Sequence, residues 1–176
     1  MEVDNTQAIF NVCQTFDSII IQIKGKADYL NAPLLNAFLE QTLCYNFKKY
    51  CVLFQECTGI DSTCLGILAG LLLKLKKDNG VCLFCGLRER QLESVRLLGL
   101  DQLAQIVNDF EINDKDVETC FLENKNSTLS PDLILEAHKF LMELNARNKI
   151  RFQDVVHFLV PTSVMLSRAV FRLLRP

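Results

Sequence analysis

The sequence Ile60-Asp61-Ser62-Thr63-Cys64-Leu65-Gly66 stands between two apolar segments of the chain. The run Cys51-Val52-Leu53-Phe54 before it predicts a buried strand, and the apolar segment 65–75 after it predicts a buried helix. The side-chain oxygens of Asp61-Ser62-Thr63 can satisfy free amide groups in the first turn of that helix. Two interpretations stay open: a plain helix cap, or a serine, Ser62, placed to carry a phosphate, because the amides and the helix dipole stabilise an anion there.

Composition limits the class of protein. The chain has 176 residues, 49% of them hydrophobic, which suits one domain with an extension or two small domains. With 19 basic and 21 acidic residues, its net charge of -2 argues against a protein that binds nucleic acid through its whole surface. The first five residues lack the features of a signal peptide, so we expect eight reduced cysteines and a cytoplasmic protein. The longest apolar stretch, residues 64–73, is too short to cross a bilayer.

Hydrophobic periodicity along the rest of the chain predicts a layered α/β domain. The predicted strands are residues 8–12, 18–23, 51–55, 81–85 and, as a short edge strand, 103–107. The predicted helices are a first one that begins between Asn31 and Pro33, the central one, one at 89–98 that ends at Gly99, and a short one at 114–122.

Gly66 and Gly70 stand four residues apart within the central helix. A glycine in a helix costs up to about 1 kcal/mol relative to alanine, so the pair needs a reason. Because residues four apart share a helix face, we expect that face to pack closely against the sheet.

The residues most typical of catalysis or metal binding do not form a site in the sequence. Cys82 and Cys85 form a CxxC, but it lies in a predicted strand, where residues three apart point to opposite faces. A thiol oxidoreductase is therefore the weakest of the functions considered. His138 and His157 are far from the CxxC motif in the sequence and are expected on helix surfaces. We predict no enzyme activity, no cofactor and no metal.

Three motifs in order, Gly25-Lys26-Ala27-Asp28, Asp61 to Gly66 and Leu97-Leu98-Gly99-Leu100-Asp101, resemble those of the STAS domain. The resemblance covers about residues 6–122. The central family motif is Asp-Ser-(Ser or Thr)-Gly-Leu-Gly, and this chain departs from it only at Cys64, where the family prefers glycine. The resemblance implies a mixed, mostly parallel sheet of about four or five strands with helices packed against it, followed here by added C-terminal helices.

The resemblance also implies a function, that of the family's bacterial anti-sigma-factor antagonists in transcription regulation. There the serine after the motif aspartate, Ser62 by position, is phosphorylated by an anti-sigma factor that is also a serine kinase, and a phosphatase resets it. The residues expected to contact the partner are Asp28, Asp61, Thr63, Cys64 and Leu65. The alternative, from a different class, is an adaptor subunit of a membrane-associated or signalling complex that does not cycle through phosphate, since STAS domains also serve as docking modules.

The C-terminal part is predicted to be a helical extension, residues 125–176, after a STAS domain of residues 1–124. Three amphipathic helices are expected at 131–144, 149–159 and 163–174, the first of them begun by Ser130 and Pro131. From residue 147 onward the chain has six basic residues and one acidic residue. The last predicted helix has a basic face of Arg168, Arg172 and Arg175. These helices could pack on the domain or on a second copy of the chain, or their basic face could contact anionic lipid or an acidic partner.

Overall fold

The computed structural model describes residues 9–108, 118–121 and 130–160. These residues form seven strands, five α-helices and one short 3-10 helix, Leu100–Gln102. The strands are β1 Ile9–Gln14, β2 Ser18–Ala27, β3 Lys49–Leu53, β4 Cys57–Ile60, β5 Val81–Cys85, β6 Gln105–Val107 and β7 Glu118–Phe121. The helices are α1 Ala32–Cys44, α2 Ser62–Lys77, α3 Glu89–Leu98, α4 Pro131–Leu144 and α5 Ala146–Leu159.

The strands form one mixed sheet in the order β6-β5-β3-β2-β1-β7, with β4 paired to the end of β2. β1 runs antiparallel to both β2 and β7, whereas the pairs β2–β3, β2–β4, β3–β5 and β5–β6 are parallel. The predicted mixed, mostly parallel sheet with C-terminal helices is confirmed. Because β4 ends beside the carboxyl end of β2, the segment that follows it begins α2 next to the β2–α1 connection.

The main hydrophobic core lies on the face of the sheet that carries the helices. Alternate residues of β2, Ile19, Ile21 and Ile23, are fully buried in it, as the two-residue period of a strand requires. Each fully buried side chain of this size contributes about 1.5–3 kcal/mol of transfer free energy. The opposite face has a smaller apolar cluster of Cys13, Ile20, Cys51, Leu53 and Cys85.

Helix boundaries follow their capping residues. Gly99, with φ of 83°, ends α3 as predicted, and Ser130 caps α4 by accepting a hydrogen bond from the amide of Leu133 at 3.2 Å. The helix expected from residue 149 begins at Ala146 instead. Asn145 is its cap and accepts from the amide of Asn148 at 2.9 Å.

Two elements differ from the prediction. β4 was not expected, because Thr58-Gly59 interrupts the short apolar pattern that would have marked a strand. The helix predicted at 114–122 is wrong at its second half, where Glu118–Phe121 is a strand paired to the free edge of β1. The spacing of four residues between Val117 and Phe121 suits a helix, but pairing with an open strand edge outweighs that local pattern. The first part of that prediction and the third C-terminal helix, with Arg168, Arg172 and Arg175, lie outside the described residues.

Gly66 and Gly70 face α4, which corrects the expectation that they pack against the sheet. A Cβ at Gly66 would lie 2.3 Å from the carbonyl oxygen of Ala137, and one at Gly70 would lie 2.8 Å from the ring of Phe140. Both distances are below any ordinary contact, so the two glycines are what lets α4 approach the backbone of α2. Ala137 and Leu141 of α4 and Phe152 of α5 are buried in the main core. The described part of the C-terminal region is therefore packed against the α/β domain.

Candidate functional site

Asp61 holds the start of α2 against the β2–α1 connection. Its Oδ1 accepts a hydrogen bond from the amide of Cys64 at 2.9 Å, which makes it the N-cap of α2. Its Oδ2 accepts from the amide of Tyr29 at 2.8 Å, and its own amide donates to the carbonyl of Ala27. Since both carboxylate oxygens accept hydrogen bonds from backbone amides, Asp61 holds the first turn of α2 and the β2–α1 connection in fixed positions next to Ser62.

Ser62 is the first residue of α2 and is partly buried. Its hydroxyl oxygen lies 3.1 Å from Nε2 of His138, which belongs to α4. The hydroxyl is thus at the amino end of a 16-residue helix and is also held by the C-terminal region of the chain. The sequence analysis singled out the serine but not its partner.

His138 is only 4% exposed, so the expectation of a surface histidine is wrong for this residue. Its Nδ1 lies 2.7 Å from the carbonyl oxygen of Ile134, one turn earlier in α4. Because a carbonyl only accepts, Nδ1 carries a proton, and Nε2 shares a hydrogen bond with the hydroxyl of Ser62. The ring also packs edge-on against Phe152, with centroids 5.0 Å apart. The side chain is therefore oriented from three sides.

Three of the residues predicted to contact a partner point inward. Thr63, Cys64 and Leu65 are all buried. The Sγ of Cys64 lies 3.4 Å from the carbonyl oxygen of Asp28, and burial, followed by the charges of Asp61 and Asp28, raises the pKa of its thiol. The thiol therefore occupies space beneath the loop where the family has glycine, and in this structure these three side chains support the site from within.

The β2–α1 connection supplies the exposed part of the site. Asp28 accepts a hydrogen bond from the amide of Leu30 at 3.1 Å and forms an ion pair of 3.6 Å with Lys26. Beside it, Tyr29 is 47% exposed and Leu30 is 53% exposed. Tyr29 and Leu30 therefore present two large apolar side chains next to the start of α2, and the side chain of Asp28 beside them is only 16% exposed.

A cleft of about 240 Å³ opens on the other side of Ser62. Its one charged lining residue is Arg151 of α5. The lining is otherwise mostly apolar and consists of Ile60, Ser62, Leu65, Ser94, Leu97, Leu98 and Phe152. The C-terminal helices thus form one wall of a concave surface that Ser62 lines.

The connection between α4 and α5 is anchored at the end of α3. The Nδ2 group of Asn148, a buried residue, donates to the carbonyls of Leu98 at 2.8 Å and Leu141 at 2.7 Å. Asn145 Nδ2 donates to the same Leu98 carbonyl at 3.1 Å. Carbonyls at the end of a helix lack partners within it, so these amides satisfy groups that would otherwise need water. Polar contacts, as well as the burial of apolar side chains, therefore determine where α4 and α5 pack on the domain.

Cys82 and Cys85 are separated by the sheet, as the strand pattern predicted. Cys82 lies in the main core and Cys85 in the cluster on the opposite face, where its Sγ is 3.4 Å from that of Cys51. Burial raises the pKa of both thiols. Within the described ranges, no three His, Cys, Asp or Glu residues are grouped closely enough to hold a metal ion.

His138 and Asn148 are two buried polar residues of the site that were not predicted from the sequence. A signal for His138 was present, since it stands four residues after Ile134 and three before Leu141, on the buried side of α4. A polar residue at such a position needs a hydrogen-bond partner. The partner itself was not visible, because Ser62 is 76 positions away in the sequence.

Comparison with known proteins agrees with this fold. The sequence profile of the STAS domain matches residues 10–111, which is more than half of the chain, and α4 and α5 lie beyond the matched segment. No curated protein sequence matches the chain. No helix in the described part of the chain combines the length and apolar character that a bilayer crossing needs.

Solved structures share the fold at low sequence identity. The candidate anti-sigma factor antagonist TM1081 from Thermotoga maritima is 20% identical over 57% of this chain and 87% of its own, with a TM-score of 0.54. An anti-sigma factor antagonist from Mycobacterium paratuberculosis is 17% identical over 62% and 92%, with a TM-score of 0.54. The anti-sigma factor antagonist SpoIIAA in its unphosphorylated form is 14% identical over 58% and 89%, with a TM-score of 0.50.

Proposed function

The chain belongs to the STAS domain family, and we propose that it is a non-enzymatic regulatory module that binds other proteins and is switched by phosphorylation of Ser62. In the proposed cycle an anti-sigma factor that is also a serine kinase phosphorylates Ser62, and a phosphatase removes the phosphate. The similarity to anti-sigma factor antagonists supports this role, and SpoIIAA of Bacillus is known in a phosphorylated form. The protein would then act in transcription regulation in a bacterial cytoplasm.

The observation that carries the proposal is the position of Ser62 at the first residue of α2, directly after the capping carboxylate of Asp61. The amino end of a helix stabilises an added phosphate through its free amides and its dipole. The amino end of α2 therefore favours a phosphate on Ser62, as a switch at this residue requires.

The same position makes the phosphate effective against a partner. Asp61 directly precedes Ser62, the charges of Asp61 and Asp28 both act on the nearby Cys64 thiol, and a phosphate adds about 1.5–2 further negative charges. The proposed contact surface consists of these two carboxylates with Tyr29 and Leu30. Repulsion and desolvation of about 3 kcal/mol would weaken a complex more than a hundredfold.

The proposal is tested by capture of partners from cells that naturally express the chain. Tagged wild type should retain a serine kinase that transfers labelled phosphate from ATP to Ser62, and the Ser62→Asp variant should lose that kinase. Ser18→Asp is the matched control, because Ser18 begins β2, at the opposite end of that strand from the β2–α1 connection, and its hydroxyl donates to Asp17 at the surface. Equal retention of the kinase by wild type and Ser62→Asp would overturn the proposal.

The hydrogen bond between Ser62 and His138 favours a second candidate, the adaptor without phosphate cycling. In that case the hydroxyl has a structural role, and the exposed side of the C-terminal helices docks the chain to a complex or to a second copy. Phe158 on α5 is 87% exposed and is the largest apolar side chain available there. Loss of the captured partner in Phe158→Asp, with no effect of Ser62→Asp, would establish the adaptor function.

A further inference from the structure

The face of α2 that carries Ser62 is covered by a part of the same chain. Ser62, Gly66 and Gly70 are four residues apart and form one stripe along that helix. The stripe contacts His138, Ala137 and Phe140 of α4 in turn. We infer that α4 and α5 together form an internal cap on Ser62, which a protein kinase can reach only after the cap has moved away. This inference rests on the proposed role of Ser62 as a phosphate acceptor.

The chemistry of phosphoryl transfer requires the space that the cap occupies. The Ser62 oxygen must attack the γ-phosphorus of ATP while the bond to the β-phosphate oxygen breaks, ADP leaves, and the hydroxyl proton passes to a base of the kinase. In the capped structure the hydroxyl is hydrogen-bonded to Nε2 of His138, 3.1 Å away, and the imidazole is nearly enclosed. No phosphoryl group fits between the two side chains at that distance, and the cleft that Ser62 lines on its other side is itself walled by Arg151 and Phe152 of the cap.

The two glycines of the stripe determine how closely the cap can approach. Alanine at Gly66 would place a methyl group 2.3 Å from a backbone oxygen of α4, which has no rotatable side chain with which to yield. Within α2 itself the same substitution is favourable, because alanine is a better helix former than glycine. Gly66→Ala should therefore release the cap and leave the α/β domain folded.

Polar and apolar contacts together hold the cap in one position on the α/β domain. Asn148 and Asn145 hold its turn at the carbonyl of Leu98, and Phe152 packs against His138. Ala137 and Leu141 provide its apolar contact with the core. A release of the cap would therefore uncover Ser62 and an apolar face of α2 in the same step.

Alkylation at position 62 measures access to the site without any kinase. In Ser62→Cys, the rate of iodoacetamide reaction at residue 62 is followed by peptide mass mapping, and hydrogen exchange is followed in α4 and in β2 and β3. The addition of Gly66→Ala should raise the rate about tenfold or more and remove the protection of α4, with β2 and β3 still protected. The matched control is Gly59→Ala, whose Cβ would meet only the Lys26 side chain at 3.7 Å, and it should leave the rate unchanged.

Each other outcome overturns the cap. An unchanged rate in folded Gly66→Ala would show that α4 does not limit access, and loss of protection in β2 and β3 would show that α4 is an integral part of the fold. If the alkylation rate rose while α4 stayed protected from hydrogen exchange, residue 62 would become accessible by a motion other than release of α4. Because no phosphate is involved, failure of the cap leaves the proposed phosphorylation of Ser62 to its own test.

Discussion

The hydroxyl oxygen of Ser62 lies 3.1 Å from Nε2 of His138, a residue 76 positions later in the chain. One member of the pair belongs to the segment that matches the STAS domain, and the other belongs to the helices beyond it. The position proposed as a switch and the C-terminal region are therefore in direct contact, and a change at either one acts on the other.

The substitution His138→Ala should lower the free energy of unfolding by about 1–3 kcal/mol, because it removes the buried hydrogen-bond partner of the Ser62 hydroxyl. Urea titration monitored by circular dichroism measures the change. The control is His157→Ala, since His157 is exposed on α5. An equal effect of the two substitutions would contradict the account of His138.

Replacement of Asn148 by alanine should cost about 2–4 kcal/mol, because two hydrogen bonds of about 1–1.5 kcal/mol each are lost and two buried carbonyls lose a partner. Hydrogen exchange in α5 should increase more than in β3. Asn36→Ala is the comparison variant, as the Asn36 amide bonds Glu40 at the surface. If Asn148→Ala unfolded at the same denaturant concentration as the wild type, Asn148 would not anchor the turn between α4 and α5.

Substitutions of Asp61 should follow a graded order. Asp61→Ala removes the N-cap of α2 and should destabilise the fold by about 0.5–2 kcal/mol. Asp61→Asn keeps one oxygen that can accept from Cys64, but not a second for Tyr29, and its effect should be smaller. Thermal unfolding of the three proteins checks the order. If Asp61→Asn proved the more damaging change, the carboxylate charge rather than the cap would be the important feature.

The thiols should differ sharply in reactivity. Burial raises the pKa of Cys82, so at any pH near 8 it holds less thiolate than an exposed cysteine does. Cys44 is exposed and should be alkylated in the native protein, whereas Cys82 and Cys85 should react only after unfolding. Timed labelling with peptide mapping gives the rates. Labelling of Cys82 as fast as Cys44 would reopen the thiol oxidoreductase interpretation.

Features of the fold that depend on neighbouring residues could be predicted from the sequence. Ser130 and Pro131 marked the start of α4, and Gly99 marked the end of α3, because caps act within one turn. Pairing between distant segments was harder to foresee. Glu118–Phe121 joins the edge of β1, more than 100 positions earlier, and its own residues do not determine that partner.

The candidate site shows the same division. Local chemistry identified Asp61-Ser62-Thr63 as a helix start, and the resemblance singled out Ser62 within it, whereas the cover over Ser62 was missed. The four-residue spacing of Gly66 and Gly70 indicated a close approach, but a helix face does not specify whether a sheet or another helix will pack on it. The contact with α4 depends on how the C-terminal region folds back, which is a property of the whole chain.

The most direct test of the central claim is the mass of the Ser62 peptide in protein isolated from the cells that naturally make it. The account predicts a fraction of the chain with one phosphate, located on Ser62 and absent from a Ser62→Ala strain. Detection of the unmodified peptide alone under every growth condition would contradict the switch and leave the adaptor function as the better explanation of the fold.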